Sequence, residues 1–177
     1  HLVGFGLLAM SGYTILAFIG SLFTQSFDRV DLIPRYGWFL VATAVVVNVA
    51  GWISDQWAKH YGPRNRLAWG WISGLVSLPF LWVGLHSEHP MLAFWAIGIG
   101  NIIASSYNGV AAATIQFFAR DDQRGLVVAL YLFVVSVVGF GAGPPLAGWL
   151  SDQIFQGATA VASAVWTIYL VCGIGSS

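Results

Sequence analysis

The side chains that could bind a ligand within the long apolar stretches of this chain are uncharged. In the stretch 89–119, Asn101, Ser105, Asn108 and Gln116 recur at spacings that place them within roughly 60° of one another on a helix turning about 100° per residue. Polar side chains at bilayer depth face a bundle interior or a water-filled cavity. The stripe therefore predicts either a solute-lining surface or hydrogen bonds between helices, which are worth about 0.6 kcal/mol each.

A second and looser polar stripe runs along the stretch 1–27. It consists of Thr14, Ser21 and Gln25, with Tyr13 beside it. Like the first stripe, it offers hydroxyl and amide groups and no ionised side chain. The same two interpretations apply to it.

Two other patterns look like a metal site and a dinucleotide-binding loop, but their details do not match either site. His86 and His89 flank Glu88 at a metal-like spacing, but a structural site needs about four ligands and no third one is close in sequence. The Gly-rich run 139–145 lacks the glycine spacing and the later acidic residue of a dinucleotide loop. We therefore predict no metal and no cofactor, and we expect Gly143, Pro144 and Pro145 to kink or break a membrane helix.

The composition specifies the setting in which these residues lie. Of 177 residues, 58% are hydrophobic and only 8% are charged, whereas a soluble domain has about 25% charged residues. The net charge of zero and the single cysteine also disfavour a nucleic-acid binder and a disulfide-rich scaffold. We expect most of the surface to contact membrane lipid.

The fourteen charged residues divide the chain into uncharged stretches that are each about as long as a membrane-spanning helix, for which roughly 20 residues are needed. These stretches are 1–27, 36–54, 67–87, 89–119, 125–151 and 153–177. They are apolar on all faces rather than alternating, which disfavours a β-barrel. The prediction is an all-α protein with six transmembrane helices.

Basic residues in the loops predict the orientation of these helices. Loop two contains Lys59, Arg64 and Arg66, and loop four contains Arg120 and Arg124, so five of the seven basic residues lie on one side. By the positive-inside rule this side is cytoplasmic. We expect both ends of the six-helix unit to be cytoplasmic, in the plasma membrane or the bacterial inner membrane.

A hexapeptide is repeated in the two halves of the chain. Residues 51–56 read GWISDQ and residues 148–153 read GWLSDQ. The first copy ends span two and the second ends span five, so the copies lie on opposite sides of the membrane. This predicts two inverted three-helix repeats, 1–88 and 89–177, an arrangement common in secondary transporters.

The first copy and the residues after it resemble a known signature. Gly51, Asp55, Lys59 and Arg64 are similar to the cytoplasmic loop of the major facilitator superfamily, with Gln56 where the commoner form has arginine. The segments 108–124 and 139–152 are similar to the tenth and eleventh helices of its Spinster-like branch. The resemblance implies the C-terminal six helices of a twelve-helix transporter. Because the chain opens with His1 directly in an apolar segment, we expect the N-terminal half to be missing.

The resemblance also implies roles for particular residues. In this superfamily the first and fourth helices of each half line the central cavity, so the two polar stripes would face substrate. The implied lining residues are Tyr13, Thr14, Ser21, Gln25, Asn101, Ser105, Asn108 and Gln116. A gating loop would comprise Gly51, Asp55, Arg64 and Arg66, although its basic residues could serve only to set the topology.

Two functions follow from the sequence. The first is secondary active transport of a small organic or amphipathic solute by alternating access, together with an N-terminal six-helix half. The second is a self-contained six-helix channel or oligomeric membrane protein. An enzyme is disfavoured, because the predicted spans contain no Asp, Glu, Lys or Arg that could serve as a buried acid or base.

Overall fold

The computed structural model describes residues 2–62, 65–118, 120, 122–154 and 160–175. Every regular element in these ranges is helical, which confirms the all-α prediction. The helices are α1 Leu2–Phe27, α2 Leu32–Tyr61, α3 Asn65–His86, α4 Pro90–Ser105, α5 Tyr107–Phe118, α6 Arg124–Val135, α7 Gly141–Gln153 and α8 Ala160–Gly175. A π-helical turn, Ser136–Phe140, joins α6 to α7.

Within the described residues, five segments are long and apolar enough to cross a membrane. They are Gly6–Thr24, Leu32–Tyr61, Ala68–His86, Pro90–Gln116 and Arg124–Gln153. The sixth predicted span corresponds to the shorter apolar segment Ala160–Cys172. The chain is an integral membrane protein.

Helix α2 is longer than its predicted span of 36–54. Its 30 residues extend about 45 Å at 1.5 Å per residue, against a hydrocarbon core of about 30 Å. Consequently Arg35, Asp55 and Lys59, which the sequence placed in loops, lie on helical turns near the two ends of α2. The positions of the charged residues therefore predict the apolar part of this span correctly, but they predict a helix that is too short.

Two of the spans are not continuous α-helices. The fourth is interrupted by a single turn at Ser106, and the fifth by the π-helical turn Ser136–Phe140. Pro144 and Pro145, expected to kink or break this span, lie inside α7, so the irregular turn precedes them. A proline lacks the N–H that would bond to the carbonyl four residues earlier, and π-turns are one way in which a helix adjusts to such a gap.

The packing of the spans is similar in the two halves of the chain. α1 packs against the π-helical turn, α7 and α8, whereas α4 and α5 pack against α2 and α3. The first helix of each predicted repeat thus contacts the second and third helices of the other. Two equivalent three-helix units would pack in this way, and the division at residue 88 stays a prediction.

Glycines permit close approach in both sets of contacts. A methyl group on Gly143 would lie 2.6 Å from Thr14 Oγ1 and 2.9 Å from the Met10 carbonyl oxygen of α1. A methyl group on Gly109 would collide with the Val47 carbonyl oxygen of α2. Small residues at such crossings bring helix backbones together, which is a main source of helix association in membranes.

Aromatic side chains close the bundle near loop one. Phe23 of α1 and Phe94 of α4 have ring centroids 6.0 Å apart, and Phe39 of α2 is 5.1 Å from Phe94. Phe23 and Leu32 are completely buried there. This cluster joins three helices at one end of the bundle, so a cavity between α1 and α4 has to lie farther along the helices.

Loop one itself contains a short-range ion pair. Arg29 donates hydrogen bonds to both carboxylate oxygens of Asp31, at 2.7 and 2.9 Å. These hydrogen bonds hold the pKa of Asp31 below its ordinary value. Both residues are exposed, so the pair contributes little to stability.

A candidate solute site between α1 and α5

A cavity of about 200 Å³ lies between the first helices of the two predicted repeats. Its walls come from α1, α2, α4, α5 and α8. The lining residues are Leu8, Ala9, Ser11, Gly12, Tyr13, Leu16, Thr43, Ala104, Ser105, Tyr107, Asn108 and Tyr169. The lining is mainly apolar with a few polar groups, as is typical of a site for a small organic molecule.

A larger groove of about 730 Å³ runs along the outside of α2 and α4. Trp38, Met91, Trp95 and Ile99 are among its lining residues, and Arg35 is its only charged one. Apart from Arg35 the lining is hydrophobic. Because the smaller cavity is the one that brings polar groups together between helices, we treat it as the candidate site.

Tyrosine side chains form much of the cavity wall. Tyr13 is half-buried and its ring packs on Phe140 with centroids 5.0 Å apart. Gly139 makes room for it, because a methyl group there would lie 2.8 Å from Tyr13 Cδ2. Tyr107 and Tyr169 are buried and approach from α5 and α8. Aromatic rings combine a large apolar surface with a polar edge, which suits an amphipathic ligand.

Most of the polar groups of the cavity already donate to the backbone of their own helix. Ser11 Oγ donates to the Leu8 carbonyl at 2.7 Å, and Thr43 Oγ1 donates to that of Phe39 at 2.7 Å. Asn108 Nδ2 donates to the Ser105 carbonyl at 3.1 Å, which leaves its side-chain oxygen as an acceptor. Among the described residues, Ser105 Oγ makes no hydrogen bond. Ser105 and Asn108 are therefore the groups most available to a solute.

Ser106 lies between these two residues at the break between α4 and α5. Ser106 Oγ donates to the Ile103 carbonyl at 2.7 Å and accepts a hydrogen bond from Trp69 Nε1 of α3 at 3.2 Å. The break between α4 and α5 is thus tied to a neighbouring helix. Irregular backbone at membrane depth occurs where it lines a cavity or is buried in protein, and here it lies beside the cavity.

The cavity reaches only part of the polar stripe that the sequence predicts as one face. Ser105 and Asn108 line the cavity, whereas Asn101 is 1% exposed, lies near Tyr36 of α2 and does not line it. Gln116 is exposed outside the cavity. Asn101 lies four residues before Ser105 and Gln116 lies eight residues after Asn108, so the cavity reaches only the middle of the stripe.

The stripe on α1 is divided as well. Tyr13 lines the cavity, but Thr14 is completely buried against Gly143 and donates to the Met10 carbonyl at 2.7 Å. Ser21 is half-buried and does not line the cavity. Gln25 lies on α1, but its side chain is outside the described residues.

The predicted gating loop is described only in part. Gly51 lies in α2 with its Cα facing the backbone of Gly109, where a methyl group would make ordinary contact at 3.7 Å. Asp55 is half-buried, six residues before the end of α2. Arg64 and the side chain of Arg66 are outside the described residues, so a contact between Asp55 and either arginine stays a prediction.

The histidine pair near loop three takes part in ordinary local contacts. The His86 ring stacks on Trp82 at 5.3 Å, and His86 Nδ1 lies 3.0 Å from the Trp82 carbonyl oxygen. The backbone N–H of His89 donates to Ser87 Oγ at 3.1 Å. These contacts account for the local structure of the pair.

Nine of the twelve cavity residues were not predicted from the sequence. Among them, Thr43, Tyr107 and Tyr169 come from helices outside the two stripes, or from a face that the stripes exclude. Tyr169 has apolar neighbours on both sides in sequence and looks like a packing residue. Its position depends on how α8 packs against α1, for which the sequence contains no local signal.

Comparison with known proteins identifies the architecture. Over 98% of the chain, the structure matches a bacterial homologue of the human lysosomal transporter Spinster, in an inward-facing and unoccupied conformation, with a TM-score of 0.79 and 16% identity. The chain therefore shares the fold of part of that transporter and spans 43% of its length. This confirms the predicted resemblance to a Spinster-like transporter.

A sequence relative agrees with this fold. The chain is 29% identical to human monocarboxylate transporter 7 over 65% of its own length and 22% of that protein. No protein-family model matches the chain. Both relatives are transporters, which agrees with the prediction that the chain is not an enzyme.

Proposed function

We propose that this chain is one six-helix half of a secondary transporter that moves a small organic or amphipathic solute by alternating access. The observation that carries the proposal is the cavity between α1 and α4–α5, in a fold shared with a transporter. In such transporters the binding site lies near the bilayer midplane at the interface between repeats. The half described here would rock against a second six-helix half around this cavity.

The distribution of buried surface supports a second half. In the spans formed by α1 and by α4–α5, 56% and 50% of the most apolar window is buried, against 17% in α2 and 17% in α6–α7. Large side chains on these two barer spans are exposed, including Trp38, Val45, Phe133 and Trp149. A second six-helix bundle that contacts α2 and α6–α7 would cover part of this surface.

The cavity lining supports a solute with an apolar body and a hydrogen-bonding group. Tyr13, Tyr107 and Tyr169 offer ring surface, and Ser105 and Asn108 offer polar atoms. The relative named as a monocarboxylate transporter suggests a small organic acid as one solute class. A single-chain lipid is a second class that fits the same lining.

The predicted membrane orientation belongs to the same proposal. Loops two and four, with five basic residues between them, would be cytoplasmic, and the membrane would be the plasma or bacterial inner membrane. The predicted gating loop, which comprises Gly51, Asp55, Arg64 and Arg66, would then lie on the cytoplasmic side. Contacts made there in one access state and broken in the other would bias the rocking motion.

The test is solute exchange in proteoliposomes containing the intact protein. Vesicles loaded with unlabelled lactate, or with a single-chain phospholipid, are diluted into the labelled compound, and counterflow is measured. A secondary transporter exchanges the two pools, whereas a channel only dissipates the gradient. Leakage without counterflow would favour the six-helix channel and contradict the proposal.

A matched pair of variants locates the site. Asn108→Ala removes an amide from the cavity, whereas Asn48→Ala removes an amide that is exposed on α2 and bonded to the Ala44 carbonyl. Loss of one hydrogen bond to solute would raise the KM of Asn108→Ala about three- to tenfold and leave Asn48→Ala near the parent value. Equal KM values for the two variants would exclude this cavity as the site.

A further inference from the structure

A hydrogen bond joins the third helices of the two predicted repeats directly behind the cavity. Ser77 Oγ of α3 and the Tyr169 hydroxyl of α8 are 2.6 Å apart, although 92 positions separate them in sequence. Ser77 is completely buried and Tyr169 is 2% exposed. Tyr169 also lines the cavity, so the contact connects a cavity wall to a helix that does not reach the cavity.

The direction of this hydrogen bond follows from the number of available protons. Ser77 Oγ lies 2.7 Å from the Gly74 carbonyl oxygen, which can only accept. Both short contacts are hydrogen bonds only if Ser77 donates its single proton to Gly74 and accepts from Tyr169. The Tyr169 proton is directed away from the cavity, so this residue offers a solute its ring and no hydrogen-bond donor.

We propose that Tyr169 is a specificity-determining residue whose ring forms part of the cavity wall, and that Ser77 is the positioning residue that holds this ring in place. The proposal rests on the proposed transport function. With Ser77 present, the Tyr169 hydroxyl is satisfied inside the bundle and this wall of the cavity is apolar. Without Ser77 the hydroxyl loses its acceptor, and the ring is free to turn toward the cavity that it already borders.

This reasoning predicts different effects for the two single variants. In Ser77→Ala, the freed Tyr169 hydroxyl makes the cavity more polar and lets the ring move. In Tyr169→Phe, the ring remains, no hydroxyl seeks a partner, and Ser77 keeps its bond to Gly74. The double variant should therefore recover the behaviour that Ser77→Ala alone loses.

Ser73→Ala is the matched control. Ser73 is also buried on α3, one turn earlier, and its Oγ donates to the Gly70 carbonyl at 3.0 Å in the same way as that of Ser77. Among the described residues it makes no bond to another helix. Its replacement therefore reproduces the local loss of a serine without affecting Tyr169.

The first experiment measures counterflow of lactate and of a single-chain phospholipid in proteoliposomes. In Ser77→Ala, the ratio of the two kcat/KM values should shift about three- to tenfold toward the more polar lactate. The ratio should stay at the parent value in Ser73→Ala and should move back toward it in the double variant Ser77→Ala/Tyr169→Phe, in which no tyrosine hydroxyl is left without a partner. A shift in Ser73→Ala as large as that in Ser77→Ala, or a double variant that is not restored, would overturn the proposal.

The second experiment needs no solute. Ser105→Cys is introduced into a Cys172→Ala background, and its alkylation by N-ethylmaleimide and by the larger fluorescein maleimide is timed. Release of the ring into the cavity should slow the larger reagent about three- to tenfold in the Ser77→Ala protein and not in the Ser73→Ala protein. If neither compound is transported but the labelling changes as expected, the proposed function fails and the positioning role stands. If transport occurs and Ser77→Ala matches Ser73→Ala in both experiments, the positioning role fails alone.

Discussion

The contact between α1 and α7 gives a stability prediction that can be worked out from distances. In Gly143→Ala the new methyl group would lie 2.6 Å from Thr14 Oγ1, 2.9 Å from the Met10 carbonyl oxygen and 3.2 Å from Met10 Cγ. Ordinary contacts begin near 3.4 Å, so the two helices must separate by several tenths of an ångström. Overpacking of this kind costs about 1–3 kcal/mol, and the better helix propensity of alanine returns about 0.5–1 kcal/mol. The expected net loss is about 0–2.5 kcal/mol.

Gly141→Ala is the control for this prediction. Gly141 lies on the same helix two residues earlier, and a methyl group there would have no neighbour within 4 Å. Gly141→Ala gains the higher helix propensity of alanine without a steric clash, so its free energy of unfolding should be unchanged or higher by about 0.5–1 kcal/mol. The free energy of unfolding is measured by reversible titration with dodecyl sulfate in mixed micelles. If Gly143→Ala is as stable as Gly141→Ala, the close approach of α1 and α7 is not needed for stability.

Two further predictions concern the helix break and the loop. Ser106→Ala removes the acceptor of the Trp69 indole N–H and should lower the free energy of unfolding by about 0.5–1.5 kcal/mol. The neighbouring Ser105→Ala should change it less. Equal losses in the same titration would contradict a stabilising role for the Ser106–Trp69 hydrogen bond. Asp55→Asn should lower the rate of counterflow more than the amount of folded protein in the membrane, measured by fluorescence-detected size exclusion. Parallel losses of rate and protein would make Asp55 structural rather than gating.

The fold could be predicted because lipid imposes a simple constraint on sequence. Every backbone polar group in the hydrocarbon must be paired within the protein, so long uncharged stretches become helices. The charged residues Asp28, Arg29 and Asp31, and Arg120 and Asp122, therefore mark real connections between helices. Where charges lie on a helix that projects from the membrane, as Asp55 and Lys59 do on α2, the same pattern sets the helix end too early.

The candidate site was less predictable because its position along the helices depends on packing between elements that are distant in sequence. Helical spacing predicts which side chains share a face, but not how far along that face a cavity extends. Ser105 and Asn108 reach the cavity, while Asn101 is buried away from it. Nothing in the sequence around Ser106 is a strong helix breaker, and the tie that accompanies the break comes from Trp69, 37 residues away.

The close contacts at glycines restrict movement of the helices relative to one another. α1 is seated on the fifth span through Gly139 and Gly143, and the fourth span is seated on α2 through Gly98 and Gly109. In each pair a well-buried span packs against one of the two more exposed spans, and the contacts leave no room for an added methyl group. Sliding within either pair would bring backbone or ring atoms into collision. The packing therefore resists relative movement of the two helices in each pair.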